Sequence, residues 1–141
     1  MAKKIRKHIV KKVLLKKPVP KEELATWNGN IPLNIAKYDR ISFSVLINKR
    51  REVRKIENIS YDILIGDRWV NVMRYDDHGG IGSLHKHTKV AMNDTREIES
   101  SEGVKRSPNK QTQFRWAFKD IKRNYLSYRT KFLKNSNIDL Y

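Results

Sequence analysis

Phe114, Phe118, Ile121, Tyr125, Tyr128 and Phe132 follow one another at alternating steps of four and three. That spacing lays six apolar side chains along one side of an α-helix. It predicts a helix over residues 113–134, with Arg115, Lys119, Lys122, Arg123 and Arg129 on the other side. A helix with one apolar stripe must bury it against another element. The stripe reads as the lid of a sheet rather than as a cofactor-binding surface. A coiled coil is the weaker alternative, because only about three heptads are present.

The sheet has its own pattern. Ile41, Phe43, Val45 and Ile47 alternate with Ser42 and Ser44, the mark of a half-buried strand. Asn48 to Arg51 reads as a polar, basic turn. Residues 60–65 and 69–75 predict two more strands, and Gly66-Asp67 between them predicts a tight hairpin. Trp69 and Tyr75, spaced to share one face, are either core or a base-stacking surface; core is favoured for Trp69, because the hairpin needs apolar cover. Trp27-Asn28-Gly29-Asn30 carries a turn signal. Residues 93–113 are polar and turn-rich and read as a loop. The expected class is α+β: an antiparallel meander of about four or five strands packed against one long C-terminal helix, preceded by a basic arm.

Charge divides the 141 residues further. Lys and Arg number 31 against 15 Asp and Glu, a net charge of +16. Residues 1–21 hold nine cations and no acid, and residues 105–134 hold ten cations and the single acid Asp120. The stretch between is near neutral, as a self-contained fold would be. Pro18-Val19-Pro20 interrupts any helix. This places a basic arm at 1–20 and one domain at 21–141. The arm's apolar residues 5, 9 and 13 permit an amphipathic helix, and an extended arm that orders on a partner is equally open. Cationic ends of this density seek a polyanion. RNA is the expected partner, held by Lys3, Lys4, Arg6, Lys7, Lys11, Lys12, Lys16 and Lys17 of the arm and by Arg115, Lys119, Lys122, Arg123 and Arg129 of the helix. A solubility tail, or adaptation to a hot or salty cell, is the plainer alternative. The chain has no cysteine, hence no disulfide and no zinc–thiolate site. No secretory leader and no membrane-spanning run of about 20 apolar residues is expected. A cytoplasmic protein without a membrane partner fits.

Two stretches carry a family resemblance. One runs Tyr61 to Gly79, with Arg74-Tyr75-Asp76 at a strand end and a glycine-containing loop, and closes with His85-Lys86-His87. The other is Ala117 to Arg129 in the last helix. Over about residues 40–132 this order is similar to the small prokaryotic domains related to TumE, the toxin of a toxin–antitoxin pair, and to a sister group without assigned function. The resemblance implies an antiparallel sheet backed by one helix, growth inhibition through RNA, and a cognate antitoxin as partner.

His78, His85 and His87 fall within ten positions, beside Arg74, Asp76 and Lys86. Residues two apart on a strand share a face, so His85 and His87 point the same way. Three chemistries are open. The histidines can serve as general base and acid in metal-independent RNA cleavage, with Arg74 and Lys86 steadying the phosphate and Asp76 assisting. His85 and His87 with Asp76 can hold a divalent metal, the one cofactor considered. Or the cluster binds phosphate, or packs, without catalysis. The leading expectation is a small endoribonuclease toxin. The alternative is a non-catalytic basic RNA-binding protein, for instance one associated with the ribosome.

Overall fold

Ile41, Phe43 and Val45 of strand β2 (Asp39–Ile47) all turn inward, and the serines between them turn to the opposite face. The computed structural model describes residues 22–77 and 84–138. Around β2 lie β1 (Ala25–Pro32), β3 (Val53–Ile65), β4 (Arg68–Asp76), β5 (His85–Lys89) and β6 (Glu97–Ser100). They form a six-stranded sheet in the order β1-β2-β3-β4-β5-β6, every neighbouring pair antiparallel. Helix α1 (Lys110–Asn135) packs across β3 and β4. The architecture is thus the expected α+β meander with one long C-terminal helix, with six strands rather than four or five. The basic arm lies outside the described residues.

The helix forms where its stripe requires it, three residues earlier than the spacing alone indicated. Asn109 caps it, its side chain accepting from the Thr112 N–H at 3.1 Å. At the other end Asn137 takes a left-handed φ of 54°. The Ile138 N–H bonds back to the Leu133 carbonyl and the Asn137 N–H to the Lys134 carbonyl, a Schellman closure. Phe114, Ala117, Ile121 and Phe132 are buried against the sheet. Tyr125 meets Tyr61 edge-on at 5.7 Å, and Trp116 meets Tyr75 at the same distance.

Bulges explain most of the departures from the sequence reading. Val53, Ile56 and Ile59 are spaced by three, which suits no regular strand, yet all three are core residues of β3. The β2–β3 register slips twice, so that Val53 faces Ile47, Ile56 faces Val45 and Ile59 faces Phe43. Each slip adds a residue and returns the next apolar side chain to the same face. A further slip in β4 separates Trp69 from Tyr75. Tyr75 stands opposite Ile59 in the core, whereas Trp69 stands opposite Leu64 on the other face. Trp69 is therefore not a core residue: it is 38% exposed, with the Arg40 guanidinium 4.1 Å above its ring.

Two segments read as turn or loop are strands. Gly29 is no turn residue; it lies inside β1, opposite Phe43, where a Cβ would come within 3.1 Å of the Phe43 ring. A side chain there would press the ring back by a few tenths of an ångström, and Trp27 closes on that ring edge-on at 4.9 Å. β6 falls within the polar stretch 93–113 and pairs with β5. The Gly66-Asp67 hairpin stands as expected, with Gly66 at a φ of 65°.

Ile121 is fully buried where α1 meets the sheet. Ile121→Ala should lower stability by about 2–5 kcal/mol. In urea unfolding this appears as a fallen midpoint with an unchanged slope. A shift under about 0.5 kcal/mol, the size of an ordinary surface change, would mean that the helix does not seal the core.

Candidate functional site

Pairing of β4 with β5 sets Arg74 opposite His87 and Asp76 opposite His85. All four share the face turned away from α1. Asp76, 2% exposed, is the hub. The Arg74 guanidinium donates to it at 2.7 Å, and His87 Nε2 lies 3.2 Å from it. Strand β6 supplies two more acids. Glu97 takes the other arm of Arg74 at 3.0 Å and lies 3.7 Å from His87 Nδ1, and Glu99 lies 3.4 Å from His85 Nδ1. The fold thus gathers four of the six predicted catalytic residues: His85, His87, Arg74 and Asp76. His78 lies outside the described residues. Glu97 and Glu99 escaped the sequence reading because their segment looked like loop, although their spacing of two is a strand signal.

Lys86 does not join the histidines. It alternates with them, so it faces α1. Its Nζ donates to the Tyr128 hydroxyl at 2.6 Å and lies 4.4 Å from that ring's centre. The Tyr128 hydroxyl donates in turn to Asp120 Oδ2 at 2.6 Å. The Tyr75 hydroxyl donates to the same oxygen, and Asn124 donates to Oδ1 at 2.8 Å. Burial holds the Lys86 ammonium below the ordinary lysine range, against the pull of Asp120. Burial first, and then the bond to Asp120, push the Tyr75 and Tyr128 hydroxyls above the tyrosine range. Tyr61 is raised likewise by burial and by Asp39.

The face with the histidines is ringed by carboxylates. Its guanidinium, Arg74, is already held by two of them. Among the described residues no group of three His, Cys, Asp or Glu side chains is placed to hold a metal ion.

The outer side of α1 is electrically the reverse. Arg115, Lys119, Lys122 and Arg123 are exposed, and Lys131 and Lys134, absent from the sequence reading, extend the same solvent side. Among the described residues none of the six forms an ion pair; Lys122 lies 5.4 Å from the Phe118 ring centre. Asp120, the helix's single acid, is drawn inward by the two tyrosines and Asn124. Arg129 departs from the expectation. It turns to the fully buried Asp39 at 3.3 Å, a carboxylate that also accepts from Tyr61 and Asn34. It is a structural cation, not a free one. The arm lysines and arginine named above lie outside the described residues.

A family model described as "Domain of unknown function (DUF7718)" matches residues 28–138. No curated protein and no solved structure matches the chain. Among the described residues no helix is long and apolar enough to cross a membrane.

The three raised tyrosines predict alkaline unfolding. The unfolded chain releases these phenolic protons near pH 10, while the fold retains them. Stability is therefore intact below about pH 10 and falls as pH rises beyond it. Lys86 acts in the opposite sense, adding stability as pH rises toward the ordinary lysine value, but it is one group against three. Tyr75→Phe should make the fall above about pH 10 shallower by about 1.4 kcal/mol per pH unit. Urea unfolding at a series of alkaline pH values measures it, and an unchanged slope would mean that Tyr75 ionises freely in the fold.

Proposed function

We propose that this chain, which belongs to the DUF7718 family of domains of unknown function, is an RNA-binding protein that holds its partner on the outer side of α1 and on the basic arm. One observation carries the reading: six cations stand exposed on one helix with no described acid pairing them, and the helix's one acid faces inward. Unpaired surface cations attract phosphates and release the counterions condensed on them. The face with the histidines lacks this character. A phosphate arriving there would meet Asp76, Glu97 and Glu99.

A second reading is RNA cleavage by a TumE-like toxin with a cognate antitoxin. It is favoured by the close His87–Asp76 pair, since a carboxylate can orient an imidazole for proton transfer. The binding reading ranks first, because it asks no group to leave a partner it already has. A ribosome-associated role is one form that binding could take.

RNA affinity of the full chain, measured by fluorescence anisotropy, should fall steeply between about 50 and 200 mM salt. Affinity that ignores salt would end the proposal. For the second reading, His87→Ala should lower cleavage by about 10²–10⁴-fold while affinity holds. Absence of cleavage by the parent protein would leave binding alone.

A further inference from the structure

We infer that the RNA held on α1 is double-stranded, an inference that rests on the RNA-binding reading above. Proteins that grip single strands offer aromatic rings for bases to stack on, beside their cations. No aromatic residue of α1 is largely exposed among the described residues, although Phe118, under Lys122 at 5.4 Å, and Trp116 are partly open to solvent. Phe114 and Phe132 are buried, and the half-buried aromatic residues lean on inward partners: Phe118 on Phe43, Tyr125 on Tyr61, Trp116 on Tyr75, and Tyr128 between Lys86 and Asp120. The exposed apolar residue on α1 is Leu126. The exposed tryptophans are not on the helix itself. Trp69 is on the opposite face of the sheet under Arg40, and Trp27 is on β1, leaning on Phe43 and Phe114. Bases therefore find no exposed ring on the helix that carries the cations.

The cations have the complementary property. From Arg115 to Lys134 they are mounted on one continuous helix, over about 28 Å at roughly 1.5 Å per residue. The helix is itself fixed to the sheet along its length. A rigid row of charges suits a partner whose phosphates are rigid too. A duplex presents them at fixed spacing and needs no ordering on contact, whereas a single strand must be straightened first. Recognition of duplex RNA largely by its shape and its phosphates is a known way of binding the A-form helix.

The experiment compares the full chain on three probes of one sequence: an RNA duplex of about 20 base pairs, long enough for shape recognition, its single strand, and the matching DNA duplex. Binding is followed by anisotropy over a salt series. The parent should hold duplex RNA roughly tenfold or more tighter than the single strand. The triple variant Lys119→Ala, Lys122→Ala, Arg123→Ala, checked for folding by circular dichroism, should lose that preference. Its salt slope on the duplex should fall by about 2–3, one phosphate contact per cation removed. A single strand bound as tightly as the duplex, or more tightly, overturns the inference and leaves the RNA-binding reading standing. DNA duplex bound as tightly as RNA duplex overturns the assignment to RNA. No binding to any probe, or binding untouched by the triple variant, removes the helix reading itself and the inference with it.

Discussion

One helix lies across a six-stranded sheet, and it covers one face only. The other face meets water, and beside Trp69 and Leu64 it is built largely from carboxylates and their partners. Asp62 is the first hub. It accepts from Arg40 at 3.1 Å, Ser42 at 2.8 Å, and Ser60 and Asn71 at 3.1 Å each. Asp76 is the second, with Arg74 and His87. Each hub binds neighbouring strands together across the ladder. Removing one partner from such a buried set strands a charge, at a cost of about 3–5 kcal/mol. The register of β2 through β5 is thus held by polar bonds on one face and by apolar packing on the other.

The same device secures the helix. Asp39 takes Tyr61 and Arg129, Asp77 takes the Ile56 N–H and Lys110, and Asp120 takes Tyr75 and Tyr128. Each is a carboxylate at the boundary between α1 and the sheet. The near-neutral charge of the central stretch now has a partial structural meaning: its buried acids, Asp39, Asp62, Asp76 and Asp77, are taken up by a tyrosine, by strand cations and by the inward cations of the helix. The cations on the outer side of α1 have no such partners among the described residues. The uneven charge of the sequence becomes an uneven charge of the molecule's faces.

How far the sequence revealed this depended on whether local periodicity survived folding. The stripe from Phe114 to Phe132 and the Gly66-Asp67 hairpin were legible, because nothing interrupts their period. Val53, Ile56 and Ile59 were not, because two bulges convert a spacing of three into one face. Trp69 was misplaced for the same reason. Gly29 followed a different cause: its dipeptide carries a turn signal, and only the Phe43 ring opposite explains why glycine sits in a strand. At the candidate site, the strand alternation that puts His85 and His87 on one face also turns Lys86, the residue between them, away from it. Glu97 and Glu99 became visible once β6 paired with β5. Arg129 shows the limit of reading charge from a helix face. Its distance from Asp39 in sequence, ninety positions, hides the partner that takes it out of use.

Charge alone does not choose which face meets a polyanion; the state of pairing does. For a phosphate to engage Arg74 it must draw the guanidinium from Asp76, which is almost wholly buried, and from Glu97. The new contact would replace an old one and take the guanidinium from a carboxylate in a place water barely reaches. Such an exchange returns little, and the neighbouring acids oppose the approach. On α1 the cations are hydrated and carry only mobile counterions. A phosphate there displaces ions that gain freedom on release, and the fold loses no bond. The two sites differ in whether their guanidinium or ammonium groups are already bound: Arg74 is, and the six outer cations of α1 are not. The helix is the side on which binding a nucleic acid leaves the fold's own bonds in place.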